Sequence, residues 1–171
     1  MKENRSNIIL IGMPGAGKST VGVILAKRTS RDFLDTDLLI QTAQGRSLQE
    51  IVDTDGYLAL RKIEEEALLG LSLHHHVIAT GGSAAYSDAA MSHLKSKGVV
   101  VFLNVDIPTL LARLHDFDTR GIAKRPDQSF AELFEERFTL YAKYADVIIE
   151  CGKLTQEQVS SRIIEELNRE S

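Results

Sequence analysis

The 171-residue chain holds 24 acidic and 20 basic residues, a formal net charge of −4, with 43% hydrophobic and 26% charged residues. That length suits one domain with its own hydrophobic core, and the mildly acidic balance leaves out a broad electrostatic footprint for nucleic acid. The single cysteine, Cys151, excludes an internal disulfide. The amino end has no signal-like apolar run and no stretch approaches the ~20 apolar residues of a membrane span, so a reducing cytoplasm and no membrane partner are expected.

The first element is an apolar, β-branched run over residues 7–11, read as a buried strand. It leads into Gly12-Met13-Pro14-Gly15-Ala16-Gly17-Lys18-Ser19-Thr20, a match to G-x-x-x-x-G-K-[ST] followed by a helical pattern. Strand, glycine turn and helix is the context the motif requires for cradling a polyphosphate. Gly12, Gly15 and Gly17 let the backbone turn its N–H groups inward, and Ala16, Gly17 and Thr20 open a helix whose positive end faces the same anion. Lys18 reaches the β- and γ-phosphates, and Ser19 offers a hydroxyl to Mg²⁺.

A second strand over 32–35 ends in Asp35-Thr36-Asp37, where an open α/β sheet binds its ligands. The same aspartates can equally cap the helix that follows. Residues 38–76 form a helical pattern broken at Gly45 and Gly56, an insert before the next strand. Within it Arg61 and Glu64 lie one turn apart, a spacing that also suits a surface ion pair. Strand 77–80 runs into Gly81-Gly82-Ser83, whose glycines permit close approach of a ligand to backbone. Strand 99–104 precedes Asp106, expected to cap a helix rather than bind metal. Residues 115–128, rich in charge and poor in apolar side chains, read as a mobile lid. Arg137 follows on a helical pattern, then a last strand over 146–150 and a terminal helix with Val159, Ile163, Ile164 and Leu167 on one face. Ser47, Ser129 and Thr155 each open a capping-box pattern. Alternating strands and helices predict an α/β fold with a parallel sheet covered on both faces.

In order and spacing, the phosphate-binding turn, Asp35-x-Asp37, Arg61-x-x-Glu64, Gly81-Gly82, Arg120 and Arg137-x-x-Leu140-Tyr141 resemble the shikimate kinases. The resemblance implies a P-loop NTPase fold, a three-layer α/β/α sandwich with a five-stranded parallel sheet, as one kinase domain over 1–171 with 38–76 as substrate-binding insert and 115–128 as lid. It implies ATP as phosphoryl donor, Mg²⁺ as cofactor and shikimate as acceptor. Lys18 and Ser19 would serve the phosphates and the metal, with Asp35 assisting the metal through water. Asp37 would hold the acceptor hydroxyls and take a proton. Arg61 and Arg137 would clamp the carboxylate, Gly81 and Gly82 would touch the acceptor, Arg113 would pack on adenine, and Arg120 would close over the transferring phosphoryl.

The chain departs from the family pattern at Leu60, where an aromatic residue is common, and at Ser83, where a third glycine is usual. Arg120-Gly121-Ile122 stands for Arg-Pro-Leu, and no Arg-x-Pro follows the last strand. Two other readings stay open at this point: a kinase of another small hydroxy acid, and a catalytically weak nucleotide-binding regulatory paralogue. A monomer is expected from size and surface pattern.

Overall fold

The structure is a computed structural model and describes residues 5–114 and 121–170. Five parallel strands make one sheet: β1 (Asn7–Ile11), β2 (Asp32–Asp35), β3 (His76–Ala79), β4 (Gly98–Asn104) and β5 (Val147–Glu150), in the order β2-β3-β1-β4-β5. A central parallel strand has both faces covered, which is why β1 and most of β4 read as unbroken apolar runs. At the edge, β5 alternates instead, with Val147 and Ile149 inward and Ile148 and Glu150 outward.

Helices α1 (Lys18–Thr29) and α8 (Gln156–Arg169) lie on one face of the sheet, and α5 (Asp88–Lys97) and α7 (Phe130–Tyr144) on the other. The three-layer sandwich is thus as expected. Strand β5 begins at Val147, one residue later than the apolar pattern suggests. Asp146 stands just before it, and its carboxylate accepts from Arg5, Lys95 and the Val100 N–H, fixing the start of β5 to β4. Ser47 and Thr155 form reciprocal capping boxes with Glu50 and Gln158, whereas Ser129 only accepts the Glu132 N–H. Asp106 caps the short helix α6 (Ile107–Arg113) by accepting the Thr109 N–H at 2.8 Å.

The insert consists of α2 (Thr36–Gln44), α3 (Leu48–Asp55) and α4 (Tyr57–Leu69), separated at Gly45 and Gly56 as the sequence indicates. It has its own small core of Ile40, Ile51 and Leu60, completed by Ala123 from the far loop. Of the described residues of the expected lid, Gly121, Ala123 and Gln128 are buried whereas Arg125, Pro126 and Asp127 are exposed. The Gly121 N–H donates to Gln49 Oε1 at 2.7 Å. Among the described residues no helix is long and apolar enough to cross a membrane.

Strand β1 has β3 on one side and β4 on the other; the crossover after β1 runs past β3 to β2, and the one after β3 runs the opposite way past β1 to β4. The crevice at the carboxyl end of β1 is the topological switch point where open α/β sheets bind ligands. The glycine turn falls there.

Candidate active site

Positive φ at Gly12, Gly15 and Gly17 (149°, 83° and 94°) folds the turn after β1 back on itself, and Gly17 caps α1 without a side chain of its own. L-residues with a Cβ disfavour that backbone. Lys18 lies across the mouth of the turn, its Nζ donating to the Gly12 carbonyl at 2.6 Å and to Met13 at 2.9 Å. Burial pushes its ammonium down to about 8, against the opposing pull of Asp37. Ser19 Oγ donates to Asp35 Oδ2 at 2.6 Å, while Asp35 Oδ1 accepts the Asp37 and Leu38 N–H groups. Asp35 thus caps α2 through one carboxylate oxygen while the other meets the serine that follows the glycine turn. Thr36 and Asp37 belong to the first turn of α2, just past β2. Thr20 is exposed at the cavity rim.

The turn opens on a cavity of about 390 Å³ that Lys18, Asp37, Glu64, Gly82, Ser83 and Arg137 share. Two of these arrive on the buried stripe of a helix. On α4, Leu60, Glu64 and Leu68 follow one another at i, i+4 spacing and all are buried. On α7, Leu133, Arg137 and Tyr141 do the same, and Arg137 is only 1% exposed. Arg137 is therefore not a solvated surface residue. A charge on an apolar stripe costs stability unless it has partners, and here they meet around the turn after β3.

Gly81 is the narrow point of that meeting. A Cβ there would stand 2.5 Å from Glu64 Oε1 and 2.6 Å from Asp37 Oδ1, so only bare backbone lets both carboxylates in. The Gly81 N–H donates to Thr36 Oγ1 at 3.1 Å and the Gly82 carbonyl accepts from Tyr141. Ser83 Oγ donates to Glu64 Oε2, and Glu64 Oε1 has no hydrogen-bond partner among the described residues. Burial, and then the Asp37 charge, push the Glu64 carboxyl up to about 7; burial likewise raises Asp37.

Arg61 does not pair with Glu64. Its Nη2 donates to the Ala123 carbonyl at 3.1 Å, and Arg137 Nη2 donates to the same oxygen at 2.9 Å. Arg61 itself lines an adjoining recess of about 320 Å³ with Ser83 and Tyr86. At the cavity's other end Arg113 Nη1 donates to the Gly15 carbonyl at 3.1 Å, and Gln156 lies over Gly17. Arg120 lies outside the described residues. Sequence reasoning missed Glu64, Ser83 and Gln156 among the residues that line the cavity, and Tyr86 beside the adjoining recess. For Glu64 the signal was present, since a carboxylate between Leu60 and Leu68 sits on the apolar stripe.

A family model described as shikimate kinase matches residues 14–168. The shikimate kinase of Thermodesulfovibrio yellowstonii is 38% identical over 166 residues, covering 95% of each chain. Among solved structures, the shikimate kinase from Acinetobacter baumannii in complex with shikimate superposes with a TM-score of 0.90 at 30% identity, covering 99% of this chain and 96% of that one. The shikimate kinase from Aquifex aeolicus gives 0.82 at 35% identity, covering 95% and 96%.

The buried carboxyl of Glu64 makes a measurable claim. Its acidity in the fold, near 7, stands above the ordinary 4.5 that the unfolded chain regains. Unfolding therefore releases a proton between those values, and stability falls as pH rises from about 4.5 to about 7 and is then level. Glu64→Gln carries no such penalty. It should stabilise the ligand-free protein by on the order of 3 kcal/mol at pH 8 and by little at pH 4. Denaturant melts at the two pH values measure this, and parallel curves for variant and parent would contradict the burial of a strained carboxyl.

Proposed function

We propose that this chain, which belongs to the shikimate kinase family, transfers the γ-phosphoryl group of ATP to a hydroxyl of shikimate, giving shikimate 3-phosphate. One observation carries the reading beyond membership. Arg137 is buried in the same cavity as Lys18 and Asp37, and among the described residues it has no carboxylate at ion-pair distance. A buried guanidinium beside a phosphate-binding turn suits an acceptor that brings its own carboxylate, because the planar fork donates two parallel hydrogen bonds to it. Nothing favours a gluconate-like acceptor or a non-catalytic paralogue.

In this reading the nucleotide phosphates lie on the N–H groups of Gly15, Ala16 and Gly17, with Lys18 leaving its carbonyl partners for the β- and γ-oxygens. Arg113 and Gln156 border the nucleoside end. The acceptor's carboxylate lies against Arg137, with Arg61 beside it, and its ring against Gly81 and Gly82. Asp37 orients the attacking hydroxyl and takes its proton as the new O–P bond forms and the bond to the β-phosphate oxygen breaks, releasing ADP. Arg120 closes over the transferring group as a positive charge on its equatorial oxygens.

Ser19 Oγ and Asp35 Oδ2 present a pair of hard oxygens beside the phosphate turn, a donor set that fits Mg²⁺ completed by phosphate oxygens and water rather than a cage of side chains. When bound, the ion neutralises charge on the β- and γ-phosphates. We place the enzyme in the cytoplasm and expect a monomer.

A coupled ADP-release assay with shikimate against a panel of hydroxy acids tests the acceptor. Shikimate-dependent turnover well above every other acid is expected; equal or greater turnover of another acid would overturn the assignment.

Replacing each aspartate separates their roles. Asp37→Asn should lower kcat by roughly 10²- to 10⁴-fold, the usual worth of general-base assistance, at any magnesium concentration. Asp35→Asn should show a defect that added magnesium partly relieves. Relief of Asp37→Asn instead would mean that the two carboxylates exchange roles.

A further inference from the structure

The pair of guanidiniums in the acceptor half raises a physical question, because like charges that share one carbonyl oxygen should drive each other apart. Arg61 and Arg137 come from different helices and both donate to the Ala123 oxygen. Arg137 is fixed by burial, but Arg61 is a half-buried side chain with a 320 Å³ recess beside it. A long cationic side chain with that freedom would spend much of its time in solvent.

Tyr86 stands under it. The Arg61 guanidinium carbon lies 3.6 Å from the centre of the Tyr86 ring, well inside the ~6 Å reach of a cation–π contact. Tyr57 faces the same guanidinium from 5.0 Å, and the Arg137 guanidinium carbon lies 5.5 Å from the Tyr86 ring. The ring is itself held. Its hydroxyl donates to Glu136 Oε2 at 2.5 Å, and that oxygen also accepts from Gln128 Nε2 at 3.2 Å. The Tyr86 hydroxyl keeps the Glu136 carboxyl below its usual range, so the anchor is a carboxylate. Glu136 precedes Arg137 on α7, so the helix that carries one arginine also pins the platform for the other.

We propose that Tyr86 is the positioning residue for Arg61: its ring, anchored to Glu136, holds the guanidinium beside Arg137 and so sets the affinity for the acid acceptor. The assignment of that acceptor rests on the function proposed above. Tyr86 touches no reacting atom. It acts by sparing the acceptor the ordering of a flexible arginine, which is how preorganisation raises affinity.

The test uses Tyr86→Leu, which removes the ring face, and Tyr86→Phe, which keeps the ring and removes the anchor, each with and without Arg61→Ala. Calorimetric Kd for shikimate should weaken roughly 3- to 30-fold in Tyr86→Leu, the range of a cation–π contact from exposed to desolvated sites, and by less in Tyr86→Phe. Kd for ATP and kcat should stay within about 2-fold, since the phosphate turn is untouched, and in the Arg61→Ala background the leucine change should add less than about 2-fold. An undiminished leucine effect in that background, an equal loss of ATP binding, or no loss for shikimate would each overturn the proposal.

A second readout does not depend on the acceptor. The Arg61 Nε–H resonance, identified by its loss in Arg61→Lys, should move on Tyr86→Leu as the ring current is removed. An unmoved resonance overturns the positioning of Arg61 whatever acid binds. Failure of the parent protein to bind shikimate, with the resonance moving as expected, would overturn the acceptor assignment and leave the positioning role standing.

Discussion

A guanidinium taken out of water must meet negative charge or hydrogen-bond acceptors, and the acceptor half of this protein is arranged around that demand at Arg137. Only 1% of the residue is exposed, and the desolvation of a full charge costs several kcal/mol unless partners offset it. The Ala123 carbonyl supplies one such partner, the Tyr86 ring lies 5.5 Å away, and the Arg137 Nε is left without a hydrogen-bond partner among the described residues. Opposite stand two carboxylates raised above their ordinary range by burial, with Lys18 between them and the phosphate turn. Such a cluster is held together by the surrounding fold and is strained in its own terms, which is what a site built for a charged ligand requires.

The fold supplies the rigidity by placing each charge on an element packed for other reasons. Glu64 rides a helix fixed by Leu60 and Leu68, and Arg137 one fixed by Leu133 and Tyr141. The loop after residue 120 is coupled to both through a single residue. The side chain of Ala123 completes the core of the insert while its carbonyl receives both arginines. Insert, loop and the two arginines therefore share one packing unit, and under the proposed function an acid bound at the arginines would compete with a carbonyl that the loop provides.

Most of this was legible in the sequence, for identifiable reasons. The glycine turn, the strand-end aspartates and the breaks at Gly45 and Gly56 are local, and local rules read them. Strand order was not legible, since periodicity gives burial but never neighbours. Arg137 and Glu64 lay between the two cases. Their i, i+4 spacing with apolar residues could have marked buried stripes, yet surface pairing of Arg61 with Glu64 was the plainer reading, because i, i+3 contacts look alike whether a helix faces solvent or core. Ser83 appeared only as a departure from a glycine pattern, and its bond to Glu64 depends on helix α4 crossing the turn after β3. Tyr86 gave no signal at all. Its meaning comes from three segments that meet only in the fold.

The most direct test of this account compares the binding of shikimate with that of the same ring bearing a hydroxymethyl group in place of the carboxylate, by calorimetry, in the parent protein and in Arg137→Met. The account predicts that the parent discriminates by about 10- to 100-fold, the worth of a charge-assisted hydrogen bond, and that the variant binds both compounds within a few-fold of each other. Equal discrimination in parent and variant would show that the buried arginine does not receive the acid, and would contradict it.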